Sequence, residues 1–157
     1  MLAGAAPAPV VADRPAPLES TPQARFSYRV PADVGRLVER LHGAGYRVEI
    51  ETNGTIDFSP LQRYASVCMD VKCPSSEEES DLSLLSRILG GDEVKFVVKG
   101  TEDLDYARDV IVSHPIPGEF IVSPVHGSDY GALARQVLDR NMPVRFQVQL
   151  HRILGVR

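Results

Sequence analysis

Short polar side chains recur in this 157-residue sequence just after its apolar, strand-like stretches. In chain order they are Glu51, Thr52, Asn53 and Thr55; Cys73, Ser75 and Ser76; Lys99; Ser123 and His126; and Gln149 and His151. Hydroxyl, amide, charged and imidazole groups together can hold a polar ligand that has several functional groups. Ligand binding is therefore the chemistry that these residues favour, provided that the fold brings them together.

The same residues have a competing interpretation as loop caps. Thr, Asn and Ser after a strand often hydrogen-bond to their own backbone and bind nothing else, which accounts for each of them taken singly. His126 precedes Gly127 and fits a role in shaping its loop, whereas His151 follows a predicted alternating strand and fits either interpretation. Whether the side chains converge decides between the two.

Covalent and metal chemistry have weaker support. Cys73 precedes a predicted helix start, where a thiolate could be stabilised, but no histidine or other base lies near it in the sequence. Two cysteines, Cys68 and Cys73, are too few for a usual metal site, and we expect both thiols to be free. The acidic run at 77–79 is typical of a solvated helix start. No phosphate-binding glycine motif follows any predicted strand.

The elements that must position these residues alternate between helices and strands. Apolar periodicity and capping residues predict helices over 33–43, 82–89, 101–113 and 129–141, a helical turn at 59–64, and strands over 46–50, 67–72, 93–98, 119–122 and 144–150. In the last long helix, Leu133, Ala134, Val137 and Leu138 are predicted to face inward. Strands separated by helices imply parallel pairing with right-handed crossovers, which collects the strand ends at one rim. A closed barrel, a doubly wound sheet or part of either would fit, and we predict an α/β fold with a curved, open, mainly parallel sheet of about five strands.

Composition predicts a tail and one folded domain. Residues 1–24 are rich in Ala and Pro and are predicted to be a disordered tail, followed by a domain over 25–157 with a short edge strand at Phe26–Val30. The net charge of -4 gives no basic face for nucleic acid, and no apolar run is long enough to span a membrane. A cytoplasmic location is the expectation.

Four sequence stretches occur in a specific order between about residues 31 and 157. They are Glu51-Thr52-Asn53-Gly54-Thr55, Met69-Asp70-Val71-Lys72-Cys73-Pro74-Ser75-Ser76, Val94-Lys95-Phe96-Val97-Val98 and Gln149-Leu150-His151-Arg152-Ile153-Leu154-Gly155. Together they resemble the C-terminal half of the 7-carboxy-7-deazaguanine synthase family, radical S-adenosylmethionine enzymes of the queuosine and archaeosine routes.

The resemblance implies a partial radical S-adenosylmethionine barrel, with helices outside and with the cofactor and a 4Fe-4S cluster at the strand ends. In that family an adenosyl radical abstracts hydrogen from 6-carboxy-5,6,7,8-tetrahydropterin, and the ring contracts with loss of ammonia. Magnesium is a further family cofactor. The resemblance implies cofactor contacts at Thr52, Asn53, Cys73, Pro74, Ser75, Ser123 and His126, and substrate contacts at His151 and Arg157.

The chain also departs from the family pattern. Ser123-Pro124 stands where the family often has Gln-Pro, and Arg157 stands where it often has a C-terminal Pro. The three-cysteine cluster motif and the Gly-Gly-Glu-Pro strand end are absent, and the family's magnesium site lies in the same missing half. We therefore expect a truncated or frameshifted gene product that cannot assemble the cluster alone.

Three functional hypotheses remain at this point. The chain is half of a pterin-converting enzyme that needs a complementing N-terminal half, or a non-catalytic module that binds S-adenosylmethionine or pterin. Alternatively it is a non-functional remnant whose exposed sheet edge forms a homodimer or aggregates.

Overall fold

The computed structural model describes residues 32–156, where five parallel strands form one open sheet. The strands are β1 (Glu49–Thr52), β2 (Ser66–Val71), β3 (Glu93–Val98), β4 (Glu119–Pro124) and β5 (Arg145–Phe146). The helices are α1 (Ala32–Gly43), α2 (Thr101–Ser113), α3 (Tyr130–Asp139) and α4 (Leu150–Ile153), and 3₁₀ turns cover Ser59–Leu61, Pro74–Ser76 and Leu82–Arg87.

The strand order explains why one face of the sheet is covered by helices. The strands lie side by side in chain order from β1 to β5, all parallel, so the order never reverses. Because crossovers between parallel strands are right-handed, an order without reversal sends every connection to the same face. The predicted α/β fold with a partial, open barrel-like sheet is confirmed.

Alternation along the strands places the core residues on one face of the sheet and the charged residues on the other, which we call the polar face although Cys68 and Ile121 are also buried there. In β3, Val94, Phe96 and Val98 are fully buried, and the alternate residues Glu93, Lys95 and Val97 are half-buried. The core lies between the apolar face and the helices, and its members include Val67, Met69, Val71, Val94, Phe96, Val98, Phe120 and Val122 from the strands and Leu104, Ala107, Val110, Leu133 and Val137 from the helices. Leu133 and Val137 face inward as predicted, but Leu138 is 78% exposed, so that prediction is wrong.

The predicted last strand is wrong beyond Phe146. Only Arg145 and Phe146 pair with β4, and a short helix begins at Leu150. Gln147 still donates its N–H to the Val122 carbonyl at 2.9 Å, and the next bond of a parallel ladder would come from the N–H of position 124. That position is a proline, which has no N–H, so the ladder ends there.

Two other elements differ from prediction in detail. The first strand spans Glu49–Thr52 rather than 46–50, so Glu51 and Thr52 belong to the strand and not to the loop after it. The predicted helix at 82–89 is a 3₁₀ segment over Leu82–Arg87, and its predicted cap, Asp81, accepts a hydrogen bond from the Ser83 N–H at 3.0 Å.

Several predictions lie outside the described residues. They are the tail over 1–24, the strand Phe26–Val30 and the substrate contact at Arg157. Between residues 32 and 156, no helix combines the length and apolar character needed to cross a membrane.

Candidate functional site

A cavity of about 370 Å³ opens at the carboxyl ends of β2 and β3. This rim cavity is lined by Asp70, Val71, Lys72, Cys73, Ser75, Ser76, Val97, Lys99 and Val125. Its volume falls within the range of about 300 to 1,000 Å³ that is usual for small-molecule sites. Two larger depressions, of about 620 and 540 Å³, lie around Gly91 and Asp92 at the amino ends of the strands. Open parallel sheets bind ligands at the carboxyl ends of their strands, which makes the rim cavity the candidate site.

One buried carboxylate holds two loops of the rim cavity together. Asp103, in the first turn of α2, accepts hydrogen bonds from the Ser75 N–H at 2.9 Å and the Ser75 hydroxyl at 2.6 Å. It also accepts the Lys99 N–H at 2.7 Å, and its own exposure is 2%. The loop after β2 and the loop after β3 are therefore fixed by the same side chain.

The environment of Asp103 keeps its carboxylate charged. Burial acts to raise its pKa, but the hydrogen bonds from Ser75 and Lys99 outweigh burial, and the pKa lies below its ordinary value of 3.8. Hydrogen bonds to a charged acceptor are stronger than those between neutral groups. This set of hydrogen bonds, which we call the Asp103 clamp, is therefore at full strength near neutral pH.

A row of charged side chains crosses the polar face beside the rim cavity. Glu51 on β1, Asp70 on β2 and Lys95 on β3 form this polar ladder, in which the Lys95 Nζ lies 3.0 Å from the Glu51 Oε1 and 3.1 Å from the Asp70 Oδ1. The Lys95 side chain is 18% exposed. Burial acts to lower its pKa, but the hydrogen bond to Glu51 and the charge of Asp70 raise it above the ordinary value. Lys95 is therefore positively charged.

Asp70 connects the polar ladder to the rim cavity. It contributes to the ladder through its Oδ1 and also lines the cavity. The Oδ1 atom is buried and, among the described residues, meets no hydrogen-bond donor with good geometry, although the Lys95 ammonium is close. Asp70 is thus the residue that the ladder and the cavity share.

Two lysines contribute cationic groups to the rim cavity. Lys72 and Lys99 line it, and the Lys72 Nζ lies 3.4 Å from the exposed Glu78 carboxylate. The Ser80 hydroxyl fixes the strand end beneath them, since it accepts the Lys72 N–H at 3.0 Å. Ammonium groups and the Asp70 carboxylate together suit a ligand that carries both signs of charge, such as an amino acid moiety.

The structure brings only some of the predicted cofactor residues to the cavity. Cys73 and Ser75 line it, and Pro74 begins the turn between them. Thr52 and Asn53 do not line the cavity and make local hydrogen bonds, as the loop-cap interpretation expects. The Thr52 hydroxyl accepts the Gly54 N–H at 3.3 Å, and the Asn53 side chain accepts the Thr55 hydroxyl at 2.8 Å.

The remaining predicted site residues lie apart from the cavity lining. Ser123 is inside β4 rather than in the loop after it, is 4% exposed, and shares the polar face with Lys95 because it pairs with Val97. His126 is exposed, with its Nδ1 3.3 Å from the Tyr130 hydroxyl. His151 is exposed on α4, so the prediction that it follows directly from a strand is wrong.

The two cysteines are unsuited to metal binding as they stand. Cys68 and Cys73 are free and 3% and 1% exposed, respectively. Burial raises the pKa of both thiols to about 12, so both are protonated near neutral pH, whereas metals bind thiolates. Within residues 32–156, no group of three or more His, Cys, Asp or Glu side chains is arranged to hold a metal ion.

Sequence reasoning missed Asp70, Lys95 and Asp103 as site residues. Asp70 and Lys95 are charged residues between buried positions of two adjacent predicted strands, and this pattern could have indicated a polar face. Asp103 was predicted only as part of a helix start. No local signal connects it to Ser75, which lies 28 residues away.

Comparison with known proteins gives one consistent family of relatives. A 7-carboxy-7-deazaguanine synthase from Methanospirillum hungatei is 49% identical over 124 residues, which cover 79% of this chain and 53% of the relative. Synthases of the same name from Koribacter versatilis and Thermoplasma acidophilum are 29% and 30% identical, over 75% and 80% of the chain and 60% and 62% of the relatives. The chain thus spans little more than half the length of these relatives. No protein-family model matches it.

Proposed function

The chain is a partial-length homologue of the 7-carboxy-7-deazaguanine synthases, and on this premise we propose that it forms the S-adenosylmethionine- and pterin-facing part of such an enzyme. The reaction would be the ring contraction of 6-carboxytetrahydropterin to 7-carboxy-7-deazaguanine with loss of ammonia. The observation that carries the proposal is the rim cavity, whose two loops are fixed by Asp103 at the carboxyl ends of parallel strands.

The cavity residues would bind and orient S-adenosylmethionine. Its amino acid moiety carries an ammonium and a carboxylate, which complement the Asp70 carboxylate and the Lys72 and Lys99 ammonium groups of the cavity lining. The Ser75 hydroxyl is held by Asp103, so the backbone of this loop is positioned before a ligand arrives. When bound to a cluster, the cofactor supplies the radical chemistry; the residues described here supply binding and orientation.

An iron–sulfur cluster does not fit the residues of this chain. A cluster that binds S-adenosylmethionine needs three thiolates, and the chain has two cysteines, both buried and protonated. We therefore propose that the 157-residue chain does not assemble the cluster alone and that a complementing polypeptide supplies those cysteines.

A non-catalytic binding module is the second candidate function. The burial of both thiols favours this candidate, because buried thiols do not provide cluster ligands. The rim cavity, which could bind a ligand without a cluster, is still present. In this case the chain binds S-adenosylmethionine or pterin and transforms neither.

Titration of the isotope-labelled chain with S-adenosylmethionine, followed by NMR, tests the binding proposal. We expect chemical-shift changes centred on the amides of Lys72 to Ser76 and Lys99. Saturable changes confined to other regions, or no change at millimolar ligand, would contradict it.

Anaerobic reconstitution with iron and sulfide tests the proposal that the chain does not assemble the cluster alone. We expect no cluster absorbance and no 5′-deoxyadenosine from the chain alone. Deoxyadenosine formation by the chain without any partner would refute the claim that a complementing polypeptide is needed. Turnover on addition of a polypeptide that bears the three cysteines favours the enzyme over the binding module.

A further inference from the structure

Asn53 and Gly54, in the loop after β1, are a pair of residues that can react with each other. The Asn53 side chain is exposed, and the residue after it has no side chain to shield its backbone nitrogen. That nitrogen can attack the side-chain amide carbon of the asparagine and close a succinimide ring. Such a reaction is favoured by an acceptor at the attacking N–H and by a donor at the carbonyl oxygen on which negative charge develops.

The fold places one threonine hydroxyl at each of the two reacting groups. The Thr52 Oγ1 accepts the Gly54 N–H at 3.3 Å, so an acceptor lies at the nitrogen that must lose its proton. The Thr55 hydroxyl donates to the Asn53 Oδ1 at 2.8 Å, so a donor lies at the oxygen that becomes negative during the attack. The two hydrogen bonds that cap this loop therefore also suit ring closure.

The fold requires a glycine after Asn53. Gly54 has a φ of +68°, and a Cβ at this position would collide with the Met69 side chain on β2. Its carbonyl accepts the Asp81 N–H at 2.9 Å, which holds the loop close to that strand. A larger residue that would shield the nitrogen is therefore disfavoured here.

We propose that Asn53 is a site of spontaneous deamidation that Thr52 and Thr55 promote. The Gly54 nitrogen bonds to the Asn53 Cγ, and the Cγ–Nδ2 bond breaks. The proton of the Gly54 N–H passes by way of solvent to the leaving nitrogen, which departs as ammonia. Water then opens the succinimide at either of its carbonyls and gives aspartate or isoaspartate. Water is the co-reactant, and no electrons are transferred.

The isoaspartate product would alter the rim cavity. The Asn53 main-chain carbonyl accepts the Ser80 hydroxyl at 3.2 Å, and the Ser80 oxygen accepts the Lys72 N–H at 3.0 Å. In isoaspartate the main chain runs through the side-chain carbons, which adds a methylene and turns that carbonyl into a carboxylate. The link from the loop after β1 to Lys72, which lines the cavity, is then changed, whatever ligand the cavity binds.

Incubation of the folded chain at mildly alkaline pH, followed by mass spectrometry of its peptides, tests the site. We expect Asn53 to gain the mass that accompanies replacement of an amide by an acid, and the Lys72 amide resonance to shift as isoaspartate accumulates. The second asparagine of the chain, Asn141, is the internal control, because it is also exposed, with a φ of +47°, but is followed by Met142. Asn141 should remain unmodified over the same period.

Thr52→Val and Thr55→Val test the role of the two hydroxyls. Each variant keeps the branched shape and removes one hydrogen bond, and we expect deamidation to slow by about fivefold, as for one ordinary hydrogen bond lost in the transition state. If the threonines only cap the loop, their removal loosens it, and deamidation becomes faster. In concentrated urea these hydrogen bonds are absent, so the wild type and both variants should react at the same rate.

Two results would overturn the proposal. They are deamidation at Asn53 that is no faster than at Asn141, and deamidation that is unchanged or faster in both valine variants. Neither result involves S-adenosylmethionine or pterin, so either would leave the proposed function standing.

Discussion

Two buried aspartates clamp opposite ends of the same sheet. At the amino end, Asp92 accepts the Val67 and Leu89 N–H groups, each at 2.9 Å, and the Gln62 side chain at 2.6 Å. At the carboxyl end, Asp103 accepts three hydrogen bonds from Ser75 and Lys99. The exposure of the two residues is 4% and 2%. Loss of the two carboxylates should have different consequences for ligand binding, because only the Asp103 clamp shapes a ligand cavity.

Asp92→Ala should give the largest loss of stability. It leaves the buried Val67 N–H of β2 and the partly buried Leu89 N–H of the turn before β3 without acceptors, at a cost of about 4 kcal/mol in total. Urea unfolding measures this free energy. S-adenosylmethionine affinity of the folded fraction should be unchanged, and a weaker affinity would break the proposed contrast between the two ends.

Asp103→Ala should cost less stability but weaken binding. Its partners are only partly buried, so we expect a loss of about 3 kcal/mol, together with at least about a tenfold loss of S-adenosylmethionine affinity. Calorimetric titration and urea unfolding give the two quantities. A destabilised variant with wild-type affinity would show that Asp103 serves stability alone, as Asp92 does.

Two glycines extend the comparison with smaller effects. A Cβ at Gly118, at the amino end, would lie 2.5 Å from the Asp92 carbonyl oxygen, and a Cβ at Gly54, whose φ is +68°, would collide with the buried Met69 side chain. Each Ala variant should lose about 1 to 3 kcal/mol. Amide chemical shifts of Lys72 to Ser76 should move in Gly54→Ala and not in Gly118→Ala; equal changes in both would contradict the contrast.

The pH dependence of the Asp103 clamp is the smallest expected effect. Since its pKa is lower in the folded chain than its ordinary 3.8, the unfolded chain binds the proton more readily in acid. The stability from Asp103 is fully present above that value and is lost as the pH falls through the folded pKa. The difference in unfolding free energy between wild type and Asp103→Ala should therefore shrink once the pH falls below 3.8. A constant difference would mean that the charge of Asp103 contributes nothing.

The sequence predicts those parts of the fold whose signals are local. Alternation gave β3 its correct bounds, Glu93–Val98, and the apolar period gave α2 its bounds, Thr101–Ser113. The last strand was predicted to be too long because Pro124, on the neighbouring strand, sets where it ends. The residues of the last strand themselves give no sign of this limit.

The candidate site was predictable only in part for the same reason. Cys73, Ser75 and Lys99 follow their strands directly and could be predicted to lie at the carboxyl end. The partnership of Asp103 with Ser75, and that of Asp70 with Lys95, depend on which strands are neighbours and in what register. Those pairings are long-range, and a single sequence does not contain them in any one window.

The missing N–H of Pro124 has a consequence for how the sheet opens. Because the ladder between β4 and β5 ends after Phe146 and Gln147, that border is held by few bonds, while β3 and β4 are paired over six residues. Local opening should therefore begin at β5 without separating the other strands. In hydrogen–deuterium exchange, the Gln147 amide should exchange with solvent much faster than the Ile121 amide of β4, which faces β3 and not β5. The exchange rate of Gln147 should be set by local opening instead of global unfolding.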